Sequence, residues 1–153
     1  MRERVKAWLS ESGCAFGKAA TEEGMNWLLE ASHDKLAFSF LVGEPVAEPE
    51  TLLVLTIARF SEYELQVKSV SAKEHRDLFY DIRFRLLSAD VAFDLAEDLC
   101  KITVSQVLFQ DETTRGVFWR TISELSKAIL CVKWTLEERF GSLDTIDSNG
   151  AAH

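Results

Sequence analysis

Only three cysteines, two prolines, seven glycines and three histidines occur among these 153 residues, and basic side chains are outnumbered 17 to 25 by acidic ones. Each shortage excludes a class of protein. Cys14, Cys100 and Cys131 stand at no metal-like spacing and cannot all pair within one chain, so a disulfide framework is excluded. Inert buried thiols in a reducing compartment are expected. His33, His75 and His153 fall in a turn, on a charged helix face and at the terminus, too sparse for a zinc site or for a base beside a Cys or Ser nucleophile. The net charge of -8 repels phosphate backbones and anionic lipid, so no nucleic acid and no membrane surface is expected as a partner. No apolar run approaches the roughly 18 residues that span a bilayer, and the opening MRERVKAWLSESG is too charged for a signal peptide. A cytoplasmic protein is the expectation.

What the chain has in quantity is apolar surface in ordered patterns, 47% hydrophobic residues, enough for a core at this length. The longest pattern runs from Thr113 to Phe140, where Phe118, Ile122, Leu125, Ile129, Val132, Leu136 and Phe140 recur at steps of three and four. That spacing predicts one long helix with a core-facing stripe, capped at Asp111 or Thr113 and ended by Gly141. Before it, Arg2 to Ser12 reads as a short amphipathic helix carrying Val5, Trp8 and Leu9, stopped at Gly13, with an irregular passage from Cys14 to Gly24. Met25 to Ala31 and Lys35 to Val42 read as a hairpin turned at Ser32 to Asp34. Gly43 to Thr51 is an acidic loop holding both prolines, and Leu52 to Phe60 is an inner strand with an almost unbroken apolar run.

Ser61 to Val70 carries both a capping box, Ser61 with Glu64, and a strand-like alternation of Tyr63, Leu65 and Val67; the capping box favours helix. Ser71 and Glu74 form a second capping box in front of a middle helix that runs to about Leu87 on Leu78, Phe79, Ile82 and Leu86. Val91 to Leu95 and Ile102 to Ser105 make a second hairpin, turned at Ala96 to Leu99. The expected fold class is therefore α+β, one domain over 1–140 in the order α-β-β-β-α-β-β-α, with helices packed on a mainly antiparallel sheet. Residues 141–153 read as a disordered polar tail.

Signatures of chemistry are thin. Gly13 to Ala19 (GCAFGKA) imitates a phosphate loop but lacks a spacer residue, ends in Ala where Ser or Thr holds Mg²⁺, and follows a helix rather than a strand. Glu74, Asp77 and Asp81 share one side of the middle helix beside His75, a spacing that can bind a divalent cation or serve as acid and base. Arg76 and Arg85 offer them ordinary ion pairs, and a solvated face explains them as well. Lys73, Arg76, Arg83 and Arg85 could form an anion patch, which the interleaved acids nearly cancel. No catalytic, cofactor-binding or metal-binding residue emerges, and no cofactor is expected.

The apolar surplus is more informative. The middle helix carries Tyr80, Phe84 and Leu87 on a side away from its core stripe, and the long helix carries Trp119, Leu130 and Trp134 off its own. A domain this small has little room to bury both sides of a helix, so these six residues are the candidate protein interface. Trp8, Trp27, Trp119 and Trp134 are either core or groove lining, since aromatic residues dominate both.

The opening helix ending Trp8-Leu9-Ser10-Glu11-Ser12-Gly13, the run Phe79-Tyr80-Asp81-Ile82-Arg83-Phe84-Arg85-Leu86-Leu87, and Val107-Leu108-Phe109-Gln110-Asp111 leading into a long helix with Trp134 carry a resemblance. The chain is similar, over nearly its whole length from residue 2 to 140, to a family of small, largely archaeal proteins with a domain of unknown function. That family shares the fold of bacterial type III secretion chaperones and their YbjN-like relatives. The resemblance implies a chaperone-like fold, and secretion chaperones are small acidic homodimers that hold an unfolded client segment across apolar grooves without ATP. The expected function is a homodimeric, non-enzymatic protein-binding module with an unidentified protein client. The alternative is a metal-dependent enzyme or ligand-sensing subunit built on Glu74, Asp77 and Asp81.

Overall fold

A computed structural model describes residues 1–36 and 38–142. Helix α1 (Arg2–Glu11) buries Val5, Trp8 and Leu9 as its pattern requires, and the chain leaves it at Gly13 with φ of 77°. Strands β1 (Ala15–Lys18), β2 (Met25–Ser32), β3 (Phe40–Pro45) and β4 (Thr51–Arg59) follow. A 3₁₀ turn (Ser61–Tyr63), a short helix α2 (Glu64–Ser69) and helix α3 (Ala72–Leu86) come next. Strands β5 (Ala92–Leu95) and β6 (Lys101–Phe109), a second 3₁₀ turn (Gln110–Glu112) and helix α4 (Arg115–Phe140) complete the described chain. All six strands form one antiparallel sheet in the order β1-β2-β3-β4-β6-β5.

The α+β class and the element order agree with the sequence reading, and several local boundaries are corrected. Residues 15–18, read as irregular, add an edge strand: Ala15 pairs with Ser32 and Lys18 with Leu29. Strand β3 starts at Phe40 rather than Lys35 and runs on to Pro45, so the ladder begins later than expected and the proline loop shrinks. Ser71 caps α3 as expected, its hydroxyl accepting from the Glu74 N–H at 3.2 Å, whereas Ser61 caps nothing and starts a 3₁₀ turn instead. Thr114, not Asp111 or Thr113, caps α4 by accepting from the Val117 N–H at 3.2 Å. Gly141 ends α4 with φ of 85°, and the expected disordered tail lies outside the described residues from position 143 on. Among the described residues, no helix is long and apolar enough to cross a membrane.

The core lies between one face of the sheet and the helices. Helix α4 sends Phe118, Ile122, Leu125, Ile129, Val132 and Leu136 onto β4 and β6, where Leu52, Val54, Ile102 and Val104 receive them. The period-2 alternation of β4 puts Leu53, Leu55 and Ile57 on the opposite face, together with Val107 and Phe109 of β6. These are only partly buried or are exposed, so the sheet is covered on one side.

On that far face Gly43 pairs with Leu28, and a Cβ at Gly43 would lie 2.5 Å from the Trp27 carbonyl oxygen and 2.8 Å from Leu28 Cδ1. The backbone oxygen cannot yield cheaply. Gly43→Ala is expected to cost about 1–3 kcal/mol through overpacking. Gly17→Ala, where nothing lies within 4 Å, is expected to change stability by less than about 0.5 kcal/mol. Urea unfolding of the two variants compares them, and equal losses would remove close approach as the reason for Gly43.

Burial, aided by the carboxylates of Asp98, Glu64 and Glu62, pushes the Cys100 thiol from its ordinary 9.0 up to about 11. Between those values the unfolded chain has released a proton that the folded chain keeps, so stability falls as pH rises through this window and levels off above it. Urea midpoints across the window should therefore decline less steeply in Cys100→Ala than in the parent chain.

Candidate protein-interaction site

Helix α3 owes its orientation to two sets of side chains. Leu78, Ile82 and Leu86 are buried at steps of four, which turns that stripe into the core. Arg85 fixes the sideways direction: its guanidinium donates to Asp81 Oδ1 at 3.0 Å, to Glu138 Oε2 of α4 at 3.1 Å and to Thr135 Oγ1 at 3.4 Å. The hydrogen bonds that Arg85 donates to Glu138 and Asp81 raise its pKa. With the core side and the α4 side both taken, Tyr80, Phe84 and Leu87, at spacings of four and three, point outward.

The exposures bear this out. Tyr80 is 60% exposed, Phe84 76% and Leu87 73%, and on α4 Trp134 is 60% exposed. Phe79 sits half-buried beside them, its ring 5.8 Å from that of Tyr80 in an edge arrangement and 5.3 Å from the Arg83 guanidinium carbon. Trp119 and Leu130 are different. Trp119 is partly buried, meeting Phe118 at 5.2 Å and Phe40 at 6.4 Å between ring centroids. Leu130 is partly buried and lines a depression with Phe38, Phe60 and Lys133. The six candidates thus divide, with four on exposed helix surface and two folded toward the sheet. Of the remaining tryptophans, Trp8 and Trp27 belong to the core.

The acidic side of α3 has its own geometry. Asp77 and Asp81 line a groove of about 320 Å³ between α3 and α4, with Thr135, Glu138 and Arg139, so the face is concave rather than flat. Glu74 is not among its lining residues. Two of the three carboxylates at the groove, Asp81 and Glu138, are already engaged by Arg85. Among the described residues, no group of three His, Cys, Asp or Glu side chains is placed to hold a metal ion. His75 is partly buried on α3, and the Gly13 to Ala19 passage is a helix stop followed by strand β1.

The far face of the sheet escaped the sequence reading. Leu53, Leu55, Ile57, Val107 and Phe109 form an uncovered apolar surface across β4 and β6. The signal was present in the unbroken apolar run of β4, which departs from the apolar and polar alternation of a strand that turns one face to water.

The profile of a family described as uncharacterized conserved protein (DUF2299) matches residues 1–136. Among solved structures, that of an uncharacterized protein from Methanothermobacter thermautotrophicus superposes with a TM-score of 0.82 at 22% identity, covering 92% of this chain and 99% of that one. A chain of the ExsC–ExsE complex gives 0.53 at 15% identity over 86% of this chain and 90% of its own. The Yersinia pestis type III secretion chaperone SycH, in complex with a stable fragment of YscM2, gives 0.51 at 14% identity, covering 84% and 97%. At such identities the likeness is one of fold, and the fold is type III secretion chaperone-like. No curated protein matches the sequence.

Proposed function

We propose that this chain, which belongs to the family of uncharacterized conserved proteins DUF2299, is a non-enzymatic protein-binding module of the cytoplasm that works as a homodimer. The observation that carries the reading is the exposed stripe of Tyr80, Phe84 and Leu87, with Trp134 exposed on the neighbouring helix. Large apolar side chains repeated along one helix face are costly to leave in water, and aromatic residues supply most of the binding energy where proteins meet. A two-fold contact suits such a stripe, because the same patch then serves both partners. The bare sheet face around Leu55, Ile57 and Val107 is left for a protein client. The chaperone-like fold supports the assignment, since SycH was solved with a protein fragment bound.

Sedimentation at tens of micromolar is expected to show a dimer. Phe84→Glu places a charge in the middle of the stripe and should weaken association at least tenfold, while its circular dichroism matches the parent. A parent chain that sediments as a monomer would remove the reading.

The concave groove at Asp77 and Asp81 favours a second reading, a metal-dependent enzyme or ligand-sensing subunit. It requires a cation to compete with Arg85 for Asp81 and Glu138. On the favoured reading, millimolar Mg²⁺, Mn²⁺ or Zn²⁺ leaves the melting temperature unchanged; a rise that is lost in Asp77→Asn together with Asp81→Asn would establish the second.

A further inference from the structure

Residues 33, 35 and 36 and one side of α4 line an open depression of about 330 Å³. Its apolar wall comes from Leu36, Trp119 and Ile122, and its polar rim includes His33, Lys35 and Ser123. Small-molecule sites are commonly of this size and make-up, a mostly apolar surface with a few directed polar groups.

The polar groups agree in sign. The backbone N–H of Lys35 donates to His33 Nδ1 at 2.9 Å, so Nδ1 is the acceptor and Nε2 is the ring nitrogen that bears hydrogen. The Lys35 ammonium takes part in none of the ion pairs among the described residues. The indole N–H of Trp119 is buried without an acceptor. Among the described residues no Asp or Glu lines the cavity, although the chain as a whole carries 25 acidic residues and a net charge of -8. A greasy wall beside one ammonium and one imidazole N–H complements a molecule with a hydrocarbon body and a single negative head.

We propose that this cavity binds an apolar monocarboxylate, its hydrocarbon body against Leu36, Trp119 and Ile122 and its carboxylate facing Lys35 and His33 Nε2. A charge-assisted hydrogen bond from the ammonium supplies what a neutral head group cannot receive. One cationic group suits a singly charged head better than a phosphate dianion. A ligand of roughly ten non-hydrogen atoms fits, given the share of about 30 Å³ that each water-sized group takes in a liquid.

Octanoate and its neutral isostere octanamide test the assignment on the full chain, by calorimetry and tryptophan fluorescence. Octanoate is expected to saturate one site with half-occupancy near or below about 1 mM, and octanamide to bind at least about tenfold more weakly. Lys35→Glu and the milder Lys35→Gln should both weaken octanoate, the former at least tenfold. Trp119→Phe should keep calorimetric binding and lose most of the fluorescence change. Phe84→Glu, which disturbs the proposed dimer contact, should bind octanoate as the parent does, so failure of the dimer and failure of this site are told apart. Absence of saturable octanoate binding, equal binding of the amide, or indifference to both Lys35 variants would overturn the proposal.

Discussion

The packing of α4 across β4 and β6 is the constraint on which the rest of the structure depends. At about 1.5 Å per residue a helix of 26 residues is about 39 Å long. Six strands at about 4.8 Å spacing span a sheet less than 30 Å wide. One helix is therefore long enough to span the sheet, and its buried stripe supplies the main surface against which β4 and β6 become dry. The remaining helices complete that side: α1 brings Trp8 to within 5.5 Å of the Phe118 ring, and α3 lies along α4. A single helical layer cannot cover the second face as well, and among the described residues the far sides of β4 and β6 stay open.

The same constraint fixes what α3 shows to solvent. Helix α3 is held in two directions, into the core and toward α4 beside it. Leu78, Ile82 and Leu86 take the first direction and Arg85 the second. Rotating α3 to hide Phe84 would lift Ile82 out of the core and pull Arg85 away from Glu138 and Thr135. The exposed aromatic stripe is thus a consequence of well-satisfied packing elsewhere, and no rotamer change within one chain removes it.

Much of this was legible in the sequence because helical periodicity reports burial directly. The stripes of α1, α3 and α4 are buried where their spacing placed them except at Phe79 and Phe140, which are only partly buried, and Ser71 caps the helix its capping box announced. Strands were harder, for a physical reason that β3 makes plain. Leu36, Phe38, Phe40 and Val42 alternate, and the first two are partly buried against the core although they lie outside the ladder. Alternation records which side chains are dry and leaves the hydrogen-bond pairing open. At Ser39 the carbonyl accepts from the Thr56 hydroxyl at 2.7 Å instead of from a backbone partner. Strand β1 left no readable pattern, since four residues containing a glycine form an edge through pairing with β2 alone.

Which apolar side chains stay exposed was only partly legible, for two different reasons. On α4, Trp119 and Leu130 lie off the main stripe, yet Trp119 meets Phe40 at the start of β3 and Leu130 shares a depression with Phe38 and Ser39 in the loop just before it. Helical spacing carries no information about a loop that arrives from 80 residues away in sequence. On β4 the difficulty is reversed. A strand packed on both faces and a central strand with one face bare can share one composition, since each face that is dry in the working protein selects apolar residues. The run Leu52 to Ala58 marked an inner strand correctly, but could not indicate whether the second cover belongs to the same chain. Among the described residues nothing covers that second face, and the apolar side chains of β4 and β6 stay exposed or only partly buried there.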